Sequence, residues 1–240
     1  MKVNVKLVSL SLCLLLASAA QSQVLISLIF GKALNTPKIE FGLVGGLNRS
    51  YILTLDDAEP LNNFNIGFYF HINLKNNSFL STGVFVKNEV GASGLPTYPV
   101  GNASVDSIYS GGKLTKKIHY FYVPIMFQQR FNQERWYVEG GFQVGLRNKA
   151  SDIFDDEVLN GDLKYTLDAR DQYTRLDAGL IGGVGYKFKK ERKSMAVGVN
   201  YYYGLVDVAM GDDVIKNSTV YIYMKIPIGA TQEQPKEPKP

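Results

Sequence analysis

From Phe64 to Leu74 the chain alternates at every step. Phe64, Ile66, Phe68, Phe70, Ile72 and Leu74 fall on one side, with Asn65, Gly67, Tyr69, His71 and Asn73 on the other. Side chains of a strand point to opposite faces in turn, so this period of two describes a strand with one face in an apolar medium and one in a polar medium. Seven further segments read the same way: Ile39 to Asn48, Phe79 to Val90, Ile118 to Arg130, Trp136 to Arg147, Arg175 to Phe188, Met195 to Val206 and Thr219 to Ile228. Each is near or somewhat above the ~9 to 11 residues that a tilted strand needs to cross a bilayer, and an even count suits a closed single-chain barrel. The expectation is an all-β fold: an eight-stranded antiparallel transmembrane β-barrel, an up-and-down meander over residues 39–228.

The links alternate as well. Lys75 to Ser78, Phe131 to Arg135 and Lys189 to Ser194 are short and polar, whereas Arg49 to Asn63, Gly91 to Lys117, Asn148 to Thr174 and Asp207 to Ser218 are long. Short turns on one side and long loops on the other fit an integral protein of the cell outer membrane, with long loops extracellular and both termini periplasmic.

A soluble lipocalin also has eight alternating strands, with its apolar face inward and its charged face toward water. Here the less apolar face carries glycines, tyrosines and amides, with single charges at Glu40, Lys87, Glu139, Arg147, Asp177 and Lys225. That sparse set suits a narrow interior in which polar groups satisfy one another. Arg147 is expected near Asp177, and Glu40 near Lys225, because unpaired buried charge costs several kcal/mol, of order. Tyr69, Phe85, Tyr120, Tyr122, Tyr137, Tyr202, Tyr221 and Tyr223 also point inward and should largely fill the space, favouring a plug over a channel. On the outward face Trp136 and Phe188 suit the periplasmic boundary, and Phe64, Tyr201 and Tyr203 the outer one.

The ends have a different character. Residues 1–23 read as a cleaved signal peptide: Lys2 and Lys6, an apolar stretch from Leu7 to Leu16, then Ala17-Ser18-Ala19-Ala20. Cys13, the one cysteine, lies in that stretch behind Leu12, which does not suit a lipid-attachment site. Removal of Lys2 and Lys6 lowers the formal net charge from +4 to +2, and no basic patch with nucleic-acid motifs appears. Residues 24–38 contain an apolar run ending at Gly31, read as a short helix with an extra strand as the rival. Residues 229–240, rich in Pro, Lys and Glu, read as a disordered periplasmic tail.

Candidates for chemistry are few. His71 is inward, between Tyr69 and Asn73 on its face, and His119 opens its strand beside the second long loop with Phe121 where a His-x-Ser deacylase would want serine. Both read as structural histidines, and no catalytic, cofactor or metal residue is assigned. Asp152, Asp155, Asp156, Glu157 and Asp162 cluster in the third loop without EF-hand spacing, leaving open whether they take a divalent ion. The function expected is non-catalytic, structural or interactive, through long loops such as Gly91 to Gly112. A lipid-modifying enzyme and a narrow channel are the alternatives.

Two stretches carry a family resemblance. Tyr120-Phe121-Tyr122-Val123-Pro124 and Trp136-Tyr137-Val138-Glu139-Gly140-Gly141-Phe142 resemble PorT-type outer-membrane β-barrel proteins. The glycine-rich strands Phe41 to Asn48 and Gly182 to Tyr186 are similar to that family too. The resemblance implies the barrel architecture, and for some members an association with secretion machinery. The partners expected are outer-membrane lipid and lipopolysaccharide, with another envelope or secretion protein as a further candidate.

Overall fold

A computed structural model describes residues 38–55, 58–158, 161–191, 193–211 and 214–228. The expected signal peptide, the expected 24–38 segment except for Lys38, and the expected 229–240 tail lie outside the described residues. One antiparallel sheet contains β1 (Ile39–Ile52), β2 (Glu59–Lys75), β3 (Ser78–Lys87), β4 (Glu89–Pro96) and β5 (Lys113–Phe131), continuing with β6 (Trp136–Val158), β7 (Gly161–Asp168), β8 (Leu176–Lys187), β9 (Ala196–Gly204) and β10 (Asn217–Pro227). A short helix α1 (Ala103–Ile108) joins β4 to β5.

Ten strands replace the eight expected. Every alternating segment overlaps a strand, but the third divides at Asn88 into β3 and β4, and β7 forms inside the third long link. The added strands pair with extensions of their neighbours: β4 with β5 and briefly with β2, β7 with the far half of β6. They also break the simple meander, because β3 pairs with β5 past β4, and β6 pairs with β8 past β7. First and last strands are neighbours, β1 being hydrogen-bonded to both β2 and β10.

Local chemistry sets the ends of the ladders. Asn76 and Asn77 both have positive φ, 50° and 63°, as a two-residue hairpin turn of primed type requires, and asparagine tolerates that region. Where β3 meets β2, Ile66 faces Lys87 but Gly67 faces Phe85, leaving Val86 as an extra residue. A second bulge lies between β5 and β6, where His119 faces Lys149 but Tyr120 faces Arg147. Each bulge reverses which side chains point inward beyond it.

That reversal corrects one inward charge. Lys87 is exposed, its ammonium 4.0 Å from the centroid of the Phe64 ring on the outer face, and Asn88 takes the buried position. Arg147 stands at the second bulge and donates from Nε to the carbonyl of Thr174 at 3.1 Å. The remaining alternation is clean. Tyr69, Tyr122, Tyr137, Tyr202, Tyr221 and Tyr223 are buried, while Leu47, Phe64, Ile66, Phe127, Phe142, Val184 and Ile222 form an exposed apolar exterior.

Candidate functional site

The interior has two polar clusters. Toward the short turns, Arg130 on β5 donates from Nη2 to Glu40 Oε2 on β1 at 3.1 Å and from Nη1 to Glu134 Oε2 at 3.0 Å, and its guanidinium lies 3.8 Å above the Phe79 ring. Lys187 also reaches Glu134, at 3.4 Å. Beside them Lys225 Nζ lies 3.1 Å from Glu139 Oε2, which also accepts from Gln128 at 2.8 Å; Glu139 Oε1 accepts from Asn200 and Tyr223 at 2.9 and 2.8 Å. Three cations therefore meet three carboxylates, each held by hydrogen bonds, as buried charge requires.

Toward the long loops Asp177 accepts from Tyr122, Tyr202 and Asn217 at 2.6, 2.7 and 2.8 Å. Asn88 and Gln143 both donate to the Tyr221 hydroxyl. The expected pairs are thus redistributed. Glu40 meets Arg130 where Lys225 was expected, Lys225 meets Glu139, and Asp177 is held by neutral donors instead of Arg147. Arg130 and Lys187 were missed in the sequence, although Tyr120, Tyr122, Met126, Gln128 and Arg130 share one parity and could have revealed the first.

The space left is small. The cavity bordered by Val44, Tyr69, Glu139, Tyr223 and Lys225 has a volume of about 20 Å³, on the scale of a water molecule. The long-loop mouth is covered as well. Tyr173, Val208 and Ile215 are buried over the tyrosines, joined by hydrogen bonds from Thr174 N to Val208 O and from Val208 N to Ile215 O. Asp207 clasps the same loop, its Oδ1 accepting from Ala209 N at 3.0 Å and Ile215 N at 2.9 Å. Those backbone donors, Ile215 foremost, lower the Asp207 pKa. Ser50 on β1 and Gly91 on β4 exchange two hydrogen bonds of 3.0 Å, drawing β4 across the opening.

Beyond the mouth, β4, α1, β7 and the far halves of β5 and β6 build a platform. Leu95, Tyr109, Leu114 and Phe154 form its own buried apolar core, with Tyr98, Val105, Tyr165 and Leu167 against it. Asn102 caps α1, accepting from Ser104 N at 3.1 Å, and Asp106 accepts from Val100 N at 2.7 Å. Asp152 Oδ2 joins Lys116 at 3.2 Å and the Tyr98 hydroxyl at 2.9 Å.

The sequence candidates are separated by this arrangement. His71 is packed in the first cluster, with Nδ1 2.9 Å from Arg130 Nη2 and Nε2 3.3 Å from Lys225 Nζ. His119 faces outward, its Nδ1 3.6 Å from Glu89, which also meets Lys117 at 3.2 Å. The acidic loop is spread along two strands, Asp152 serving Lys116 and Asp155 serving Lys164 at 3.3 Å. Among the described residues no three His, Cys, Asp or Glu side chains gather as a metal site. Both histidines serve charged frameworks.

A polar, packed interior inside an apolar exterior agrees with a family match over residues 20–209, described as "Outer membrane protein beta-barrel domain". The chain belongs to that family. Its wall is a β-barrel wall, and the protein is one of the outer membrane. Similar solved structures include Ail, the attachment invasion locus protein of Yersinia pestis, in complex with the heparin analogue sucrose octasulfate, at 13% identity over 78% of this chain and 97% of that chain, TM-score 0.43. Neisserial surface protein A is similar at 10% identity over 78% and 96%, TM-score 0.40. OprG from Pseudomonas aeruginosa is similar at 12% identity over 79% and 94%, TM-score 0.35. No curated protein matches the chain. The assignment rests on the family match.

Proposed function

We propose that this protein is a non-catalytic integral outer-membrane barrel that holds a rigid extracellular platform for contact with another protein or envelope component. One observation carries the reading: β5 and β6 run for 19 and 23 residues, well beyond the ~9 to 11 that cross a membrane. The excess is ordered into the platform, with its own apolar core. Ordering a surface before contact lowers the entropy cost of binding.

In this reading the exposed apolar exterior meets lipid, the platform lies outside the cell and the short turns face the periplasm. Phe131, Trp136 and Phe188 are exposed at the short-turn end and supply the boundary ring there, with Tyr201 and Tyr203 exposed toward the other end. Within the family, the PorT-type resemblance rests on wall residues of β1, β5, β6 and β8, so it supports the architecture and leaves the platform's partner undefined.

The orientation is tested with single cysteines at Ser107 on α1 and Asn132 in a short turn. On intact cells a membrane-impermeant maleimide should label S107C and spare N132C; the reverse pattern sinks the orientation. The contact role is tested by placing a photo-crosslinking residue at Ile108 or Leu163, each 41% exposed on the platform. Defined adducts to one macromolecule are expected at these sites, and their absence under native expression removes the contact role.

A further inference from the structure

The outer wall is not uniform. Along the outward row of β1, Leu43 and Leu47 bracket Gly45, which carries no side chain there. Between the flanking rows of β2 and β10 this gap forms the floor of an apolar groove of about 650 Å³, walled by Phe64, Ile66, Ile222 and Met224. A side chain at Gly45 would occupy it, because a Cβ there meets only Asn65 O and Ile66 Cγ1, both at 3.3 Å.

The long-loop end of this groove is cationic. Arg49 is the next outward residue of β1 beyond Leu47, oriented by hydrogen bonds to Tyr51 at 2.9 Å and Asn62 at 3.2 Å. Lys87, turned outward by the bulge, covers the Phe64 ring beside it. Among the described residues neither forms an ion pair, and the nearby Glu89 is engaged by Lys117 and His119. Two cations at the top of an apolar slot match a phosphate above a fatty acyl chain.

We propose that this groove is a specific lipid site: it seats an acyl chain of the phosphorylated glycolipid of the outer leaflet, with Arg49 and Lys87 on its phosphate. The inference rests on the membrane orientation proposed above. It goes further by naming the wall between β10 and β2 as the place of contact.

The test uses the full mature chain in nanodiscs of phosphatidylethanolamine with a minor fraction of the diphosphorylated acyl-glycolipid core of lipopolysaccharide, read by native mass spectrometry. The wild type should retain one glycolipid. The Arg49→Gln/Lys87→Gln double variant should weaken retention about tenfold or more through lost phosphate contacts. Gly45→Leu should weaken it through the filled groove, with the cations intact. Equal retention of phosphatidylethanolamine by the wild type, unchanged retention in both variants, or a second copy of the chain in the lipid's place would overturn the proposal. Boiling-dependent gel mobility separates the two levels: a wild type with no mobility shift fails the membrane reading itself, whereas shifts in all three proteins with unchanged retention fail the lipid site alone.

Discussion

Arg130 and Glu40 meet at 3.1 Å in the interior although 90 positions separate them in the chain. The contact joins β5 to β1 through the space the sheet encloses, and it exists only when both strands are in register. Arg130→Met should leave Glu40 and Glu134 without that cation and cost about 3 to 5 kcal/mol, the usual range for breaking a buried pair. Urea unfolding of the refolded protein in detergent checks this. Glu40→Met/Arg130→Met should recover a large part of the loss, and a double variant weaker than the single one refutes the pairing.

The tyrosines and the covered mouth imply a closed path. Planar-bilayer recording of the wild type should show no discrete conductance. Tyr122→Ala/Tyr202→Ala, which removes two rings and two donors to Asp177, should open one. Steady conductance from the wild type contradicts the plug.

Phe154 lies in the platform core, 1% exposed. Phe154→Ala should cost about 3 to 5 kcal/mol locally. Hydrogen exchange should speed up in β4 and β7 while the wall strands β8 to β10 keep their protection and boiling-dependent mobility persists. Loss of protection throughout would make the platform and wall one cooperative unit.

Asp207 offers a pH test outside the wall. Its pKa is lowered by backbone donors, so its contribution to the loop is full above the ordinary carboxylate pKa and is lost as pH falls through the depressed folded value. The Ile215 amide resonance should move in that acidic window. Asp207→Asn keeps an acceptor oxygen and should abolish the pH dependence; an unchanged titration would place the responsible group elsewhere.

The period-two pattern made every wall strand legible, because a face in an apolar medium leaves no freedom at alternate positions. It could not show β4, where Gly91 and Gly94 have φ of 147° and 72° and interrupt alternation. In β7, Leu163, Tyr165 and Leu167 do alternate, but the stretch was read whole as part of the long link from Asn148 to Thr174. Lys87 was placed by counting from the wall, and the bulged Val86 before it defeats that count. Parity within a strand is local knowledge; which carboxylate an inward cation reaches depends on strands from the other end of the chain. For that reason Glu40, Glu139 and Lys225 were recognised as inward while the pairing of Glu40 with Arg130 and of Lys225 with Glu139 was not.

The two bulges flank β5 on its two sides, one between Phe85 and Glu89 and the other at Asn148, where wall gives way to platform. Beyond them the inward row starts afresh with Asn88, Val90 and Ala150. A change of length above this seam cannot shift the phase of the strands below it. The platform is therefore exchangeable cargo: natural selection, or a protein engineer, can rewrite what is displayed while the embedded half keeps its sequence.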